Sequence, residues 1–434
     1  MKSIRNLFVV VSLFVVLAFS GAFLDRWLSD AEAKREVYPD LKIFTEVLSL
    51  IDKNYVEEPD NKELIQGAIR GMLRTLDPHS SYMTPDQFSE MQVDTSGKFG
   101  GLGIQIGMKE GMLTVIAPIE GTPAEKAGIK AGDKIVKIEG EPTKGIDLHE
   151  AVSKLRGPKG SKVTITTFRE SDKEFRDVTI TRDIIKVKSV KHKVIEDSVG
   201  YVKINQFQER TAEDLSEALK KLAEQNIDSL VLDLRNNPGG LLSSAIDVAD
   251  QFFPPNKLIV YTKDRSGRRT EFLNRGKYTN YTWPLVVLVN AGSASASEIV
   301  AGAVKDWNRG LILGTQTFGK GSVQTVIPLS DGSGLRLTTS KYYTPGDISI
   351  QNTGIKPTII VKLEAKNGET PHSVVREKDL KRHLTNEQEQ KENNITEKEI
   401  MPFQVEEKDD IQLRRAVDIL KSWSIFKSLQ VSSE

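Results

Sequence analysis

Three serines, Ser293, Ser295 and Ser297, stand where the apolar run from Pro284 to Val289 gives way to a helical pattern. A serine at such a point sits on a strand-to-helix turn. The first N–H groups of a helix have no partner within it, so a hydroxyl there lies beside donors aimed at a developing negative charge. That is a place for a nucleophile. A serine hydroxyl attacks only when a base removes its proton, and the usual base is histidine. The histidines of this chain, His79, His149, His192, His372 and His383, are scattered, and none falls in the glycine-punctuated apolar segments that read as core. Lys320 does fall there. It lies in TFGKGSVQT with glycines on both sides, between the apolar runs Leu311 to Gly314 and Val323 to Leu329. Burial disfavours the ammonium ion, and lowering a reference pKa of about 10.4 by roughly three units costs on the order of 4 kcal/mol, which a rigid core can hold. The neutral amine then serves as a general base.

The same residues have ordinary uses. Serines before a helix cap it, and a lysine between glycines fits an exposed turn. Gly314, Gly319 and Lys320 also have the G-x-x-x-x-G-K spacing of a phosphate-binding loop. That reading fails one residue later. Gly321 stands where a magnesium-binding Ser or Thr is required, and the following VQTVIPL is rich in β-branched residues instead of opening a helix.

Taken together, GSASASEIVAGAVKD, GTQTFGKGSVQ, the upstream DLRNNPGG and a PDZ-like segment before it resemble the carboxyl-terminal processing peptidases, or tail-specific proteases. The resemblance implies a serine–lysine dyad with Ser295 as nucleophile and Lys320 as base. It implies that Gln324 orients the lysine and that Asp306, Glu298 and Thr317 are supporting polar positions. Two strand–turn–helix units, one through Gly239-Gly240 and one through the serines, can meet at one edge of a sheet. The amide of Gly239 or Gly240 would then stand beside that of Ala296 as an oxyanion hole. Paired glycines also make simple tight turns, and the resemblance is what favours the catalytic use. The chemistry calls for no metal and no nucleotide cofactor.

From Gly97 to Ile184 the pattern is short strands with one or two helices, and it looks like a PDZ domain. Gly101-Leu102-Gly103-Ile104 is then the carboxylate-binding loop, whose glycines let successive N–H groups converge on a chain terminus while a strand edge extends the peptide. Leu148, Val152 and Leu155 would line the helix side of the groove. Arg156 matches a position that links this domain to the catalytic centre in relatives, although an arginine at a helix end is also ordinary.

The remaining elements must position these groups. Helical spacing runs from Tyr38 to Leu76, and Thr84-Pro85-Asp86-Gln87 reads as a capping box with proline at the first helical position. His79, in the break between, reads as a turn residue. These helices suit an accessory or dimerising segment. In the core, Gly200 to Ile204 and Ser229 to Leu234 read as strands, and Thr211 to Gln225 and Leu241 to Phe252 as helices. Ile348 and Thr358 depart from the family's usual arginine and aspartate, a change expected to alter loop packing or substrate contacts. Residues 366–409 are charged and polar and read as flexible. A helical pattern returns from Ile411 to Leu429, with Leu413, Ala416, Val417, Leu420 and Trp423, to dock on the core or on a second subunit.

The expected organisation is a multidomain α/β protein. Residues 1–24 form a signal or anchor, 25–95 an N-terminal helical segment, 96–184 an inserted PDZ β-barrel-like domain, 185–365 an α/β catalytic core, and 366–434 the charged segment with the last helix. The 434 residues carry 60 basic and 60 acidic side chains, so no field steers the protein to nucleic acid. There is no cysteine, which removes disulfides and thiol catalysis. Lys2 and Arg5 before the apolar run Leu7 to Leu24 have the layout of an export signal or a retained membrane anchor. The expected location is the periplasm or cell envelope, with inner-membrane attachment if that segment is kept. The expected activity is a serine endopeptidase acting on proteins with free carboxyl termini, with a homodimer or larger oligomer and an adaptor protein as further partners. The competing reading is an inactive PDZ scaffold that binds such tails in the cell envelope.

Overall fold

The computed structural model describes residues 39–196, 198–363, 372–388, 398–399 and 409–431. The expected export segment lies outside them. Among the described residues no helix is long and apolar enough to cross a membrane. The chain divides into two compact units, residues 1–75 and 76–434. The described part of the first holds a helix at 39–54 and a second, Asn61–Arg74, whose N-cap Asp60 accepts from the N–H groups of Lys62 and Glu63. Leu41, Phe44 and Val47 on the first helix are exposed.

The second unit begins earlier than the helical spacing suggests. The break LDPHSSYM contains a strand, Ser81–Met83, that pairs antiparallel with Gly334–Tyr343. The helix Pro85–Ser96 follows, with the expected capping box: Gln87 N–H donates to Thr84 Oγ1, and Thr84 N–H to Gln87 Oε1. Residues 76–96 therefore pack with the catalytic unit.

At the centre of that unit is a six-stranded sheet in the order Val190–Ile195, Val199–Ile204, Ser229–Asp233, Leu285–Val289, Leu311–Gly314, Ile359–Ile360. The first pair is antiparallel and the others are parallel. Its central strands are buried on both faces, which is why they read as continuous apolar runs. Side chains alternate across the sheet. Leu230, Leu232, Val287 and Val289 meet the helices Thr211–Glu224, Leu242–Asp250 and Ala296–Asp306 on one face. Val231, Val286, Leu288 and Leu313 meet Leu413, Ala416, Val417 and Leu420 of the last helix, Ile411–Val431, on the other. That helix docks on the core as one of the two expectations had it, with Trp423 left exposed. A second, antiparallel sheet carries the strand Ser322–Pro328 beside Gly334–Tyr343.

The PDZ segment is an insertion held at its neck. The chain goes in along Lys98–Gly101 and comes out along Asp183–Lys186, and these two strands pair with each other. Between them lie the strands from Ile104 to Thr181 and the helices Pro123–Lys126 and Leu148–Leu155.

The expectation of a flexible stretch at 366–409 is corrected for part of its length. Residues 374–388 pack on the catalytic unit. Arg376 Nη1 donates to the carbonyls of Gln316 and Thr317, Asn386 Nδ2 donates to the Gln351 carbonyl, and Glu377 is fully buried. Polar composition was read as loss of structure, but here the polar groups bond to backbone instead of solvent.

Candidate active site

The strand Leu285–Val289 ends at Asn290, and Asn290 joins two turns. Its Oδ1 accepts from Asn236 N–H at 2.9 Å and Gly292 N–H at 3.0 Å, and its Nδ2 donates to Asn236 Oδ1 at 2.8 Å. The serines then divide by role. Ser293 and Ser297 are fully buried, and their hydroxyls donate to the carbonyls of Leu234 and Asn237, at 2.8 and 2.9 Å. Both hydroxyls are committed to holding the serine turn against the glycine turn. Ser295 alone of the three lines a cavity of about 650 Å³. Its backbone, at φ 53° and ψ −110°, lies outside the regions an L-residue prefers. Such a conformation costs of order 1–3 kcal/mol and persists where the surroundings enforce it.

Lys320 lines the same cavity. Burial lowers the pKa of its amine and the Arg336 guanidinium lowers it further, against the opposing charges of Glu377, Glu298 and Asp77. Among the described residues the Lys320 amine has no hydrogen bond or ion pair, and none joins it to Ser295 in this conformation. The loop is shaped by close approach: a Cβ on Gly321 would meet the Gln351 nitrogen at 2.3 Å. Gln324 also lines the cavity, but its amide donates to Ser322 Oγ at 2.8 Å and Thr338 Oγ1 at 3.4 Å rather than to the lysine.

One carboxylate ties the serine turn to the lysine loop. Glu298 is fully buried. Its Oε2 accepts from Ser295 N–H at 2.8 Å and Lys320 N–H at 3.0 Å, and its Oε1 from Gly319 N–H at 2.7 Å and Thr317 Oγ1 at 2.5 Å. Burial raises its pKa to about 7, with those bonds opposing the rise. Asp306 is not brought to this place. It stands at the other end of the helix Ala296–Asp306, roughly 16 Å along the axis at 1.5 Å per residue, where its Oδ2 accepts from Gly346 N–H.

The glycine turn lies directly on the serine turn. Gly239 has φ +102°, and a Cβ there would meet Ala294 O at 2.8 Å, Ser295 Cβ at 2.9 Å and Ala296 N at 3.0 Å. The Gly239 N–H is taken by Asn237 Oδ1 at 2.9 Å. The Gly239 carbonyl accepts from Phe207 N–H, so across the planar peptide the Gly240 N–H points the opposite way, and Gly240 lines the cavity. The Ser295 carbonyl accepts from Glu298 and Ile299 N–H within the helix, which turns the Ala296 N–H back out of its N-terminus. Among the described residues nothing takes the Gly240 N–H, so of the two glycines named from sequence it is the one whose amide can pair with that of Ala296.

A second cavity, of about 380 Å³, is bounded by Phe99, Gly101, Leu102, Gly103, Ile104, Ile106, Ile116, Val152, Leu155 and Arg156. The Leu102 and Gly103 carbonyls accept from Ala124 and Ile119 N–H, so the N–H groups of Gly103 and Ile104 face the other side of those peptide planes. Leu148 does not line this cavity and is partly exposed. Arg156 does not reach the catalytic cavity; its guanidinium lies over the Phe99 ring of the incoming neck strand, 4.8 Å from the centroid.

Residues 198–361 match the family model described as peptidase family S41, residues 114–169 that of a PDZ domain, and residues 22–87 that of the activating protease CtpB N-terminal domain. The carboxy-terminal-processing protease of Bartonella bacilliformis is 42% identical over 398 residues, covering 89% of this chain and 90% of that one. The chain belongs to peptidase family S41. Two further carboxy-terminal processing proteases of the family are similar. That of Synechocystis is 40% identical, covering 72% of this chain and 75% of the relative, and CtpB of Bacillus subtilis is 41% identical, covering 72% and 66%. In this S41 peptidase Ile348 and Thr358 lie outside the cavity shared by Ser295 and Lys320. Ile348 is exposed, and Thr358 takes part in backbone pairing with Ile312. Sequence reasoning passed over Asn237 and Asn290, whose roles depend on turns that meet only in space. It also passed over Tyr342, which lines the same cavity as Ser295 from the strand Gly334–Tyr343. The doubled tyrosine of KYYTPG, on a strand just after the lysine loop, was the available signal.

Proposed function

We propose that this peptidase takes protein substrates by an apolar carboxyl tail in its PDZ groove and cleaves the chain through an acyl-enzyme on Ser295, with Lys320 as the base. The observation that carries the reading is the sorting of the serines. Ser293 and Ser297 have committed hydroxyls, while that of Ser295 opens on the cavity shared with a desolvated amine. In the reaction the Ser295 proton passes to the Lys320 amine as Oγ attacks the scissile carbonyl. The Gly240 and Ala296 amides receive the developing oxyanion, and the amine returns the proton to the leaving nitrogen. The separation of Ser295 from Lys320 and the turned-away Gln324 amide describe a resting arrangement that tightens on binding. The groove, lined by Ile104, Ile106, Ile116, Val152 and Leu155, suits an apolar terminal residue, and the loop amides suit its carboxylate. The export-like amino terminus supports action in the cell envelope.

The test uses the full chain and an unfolded protein with an apolar tail. Ser295→Ala is expected to abolish cleavage while tail binding, followed by fluorescence anisotropy, stays at the wild-type level. Cleavage by that variant would exclude Ser295 as nucleophile. Lys320→Arg keeps a positive charge at every working pH; it is expected to be inactive, and turnover by it would exclude an amine base.

A further inference from the structure

We infer that His79 and Glu377 are positioning residues for Lys320: the buried carboxylate, gripped by the imidazole, holds Gln351 where its amide fixes the lysine loop. This rests on the proposed role of Lys320 as base. The backbone of His79 lies in a turn, as expected, its N–H and that of Ser80 donating to Asp77 Oδ1 at 2.8 and 2.9 Å. The ring is committed elsewhere. Its Nε2 donates to Glu377 across 298 positions of the chain, 2.9 Å from Oε1 and 2.8 Å from Oε2. Glu377 is fully buried, and a carboxyl so placed needs donors to replace the water it has lost. Gln351 supplies another, its Nε2 donating to Glu377 Oε1 at 3.0 Å.

From Gln351 the path reaches the lysine in one step. Its Oε1 accepts from Gly321 N–H at 3.0 Å, and that amide shares its rigid peptide plane with the Lys320 carbonyl. The Glu377 N–H donates to the Phe318 carbonyl at 3.1 Å, so Glu377 also holds the loop two residues before Lys320. Glu298 takes the N–H groups of Gly319 and Lys320. Between them the two carboxylates fix the backbone on both sides of the lysine Cα. The turn that carries His79 also reaches the partner of Gln324. Asp77 Oδ1 accepts from Thr338 Oγ1 at 3.2 Å, Ser80 Oγ accepts from Thr338 N–H at 3.1 Å, and Thr338 Oγ1 accepts from Gln324. Neither His79 nor Glu377 lines the catalytic cavity, so both act through the loop and not on substrate. They flank residues 198–361, the span matching the peptidase family model, from opposite ends. The lysine loop is thus completed by segments that the matching span does not contain.

The experiment measures kcat, KM and the rate of Ser295 labelling by a fluorophosphonate in the full chain, for wild type, Lys320→Arg, His79→Leu and His79→Gln. Wild type is expected to turn over and to be labelled, and Lys320→Arg to do neither; turnover by Lys320→Arg would remove the lysine base and this inference with it. Given that inactivity, His79→Leu keeps the bulk but offers Glu377 no donor. It is expected to lose about 100-fold in kcat, the scale of a misplacement of about 1 Å, with KM unchanged and labelling slowed in proportion. His79→Gln carries an N–H donor of similar reach and is expected to recover most of that loss, which a need for bulk alone would not produce. Wild-type kcat in the leucine variant, or an equal loss in both variants, overturns the positioning role and leaves the base reading standing. If the leucine variant fails to fold, Gln351→Met decides the question by cutting the path one step nearer the loop. The expected result is the same loss in kcat at unchanged KM; a wild-type kcat overturns the inference.

Discussion

Glu298 is a buried carboxyl whose preferred protonation state and whose hydrogen bonds pull in opposite directions. Its pKa is raised from 4.5 to about 7. The native state therefore binds its proton more tightly than the unfolded chain does. The stabilisation is complete below pH 4.5 and is lost as pH rises to about 7, a change on the order of 3 kcal/mol. Urea unfolding of wild type is expected to show that fall, and Glu298→Gln to abolish it. The ionised form accepts from the backbone of both Ser295 and Lys320, whereas the amide of Gln confronts two of those N–H donors with its own. We expect the Gln variant to lose about 100-fold in kcat by loosening serine and lysine together. An unaltered kcat would show that this clamp on Ser295 and Lys320 does not matter to turnover. At this scale the meeting of Ser295, Glu298, Thr317 and Lys320 was legible because they fall in two short motifs, GSASASEIV and GTQTFGKG. The sequence was silent on which glycine keeps its amide, because the Asn237 side chain that occupies Gly239 N–H becomes a neighbour only when the turn closes.

Among elements, the glycine turn is held from two sides. On one side it abuts Ser295. Gly239→Ala brings a Cβ to 2.9 Å from Ser295 Cβ at a φ of +102°. It is expected to cut kcat by 100-fold or more, on the order of 3 kcal/mol, while tail binding persists; near wild-type kcat would show that the turn adapts. On the other side stands Arg235, almost completely buried, whose guanidinium binds both Asp233 oxygens and both Asp410 oxygens and also reaches Gln412 Oε1. Asp410→Ala leaves that cation half compensated and is expected to destabilise the unit by about 3 kcal/mol in urea unfolding. A change within error would mean that Asp233 alone satisfies Arg235. The strands and helices were legible because their apolar periods were clean. Residues 374–388 were not, since a polar segment that bonds to a loop backbone has no period to read.

At the scale of the molecule, an insertion with a paired neck joins the PDZ domain to the peptidase core. The Gly157 N–H donates to the Gly100 carbonyl, and Arg156 covers Phe99, so the groove helix ends against the incoming neck strand. Val152→Glu places a carboxylate on the groove wall, replacing apolar surface and repelling the carboxylate of an incoming tail. It is expected to weaken binding of an apolar tail at least tenfold, about 1.4 kcal/mol, and to raise KM for tailed substrates while leaving that for short untailed peptides unchanged. An equal rise for both would separate the groove from substrate capture. The order of segments was legible from motifs, whereas the extent of the helical segment was not, because Ser81–Met83 finds its partner more than two hundred residues downstream.

The contact between Arg235 and Asp410 spans 175 positions of the chain. A ribosome builds from the amino end, so the strand that leads into the glycine turn emerges long before the carboxylate that completes its counter-ion. Until then a guanidinium destined for the interior lacks half its charge balance, and the neighbouring turn lacks its anchor. Chains halted before residue 409 are therefore expected to resist the fluorophosphonate labelling expected of the full chain.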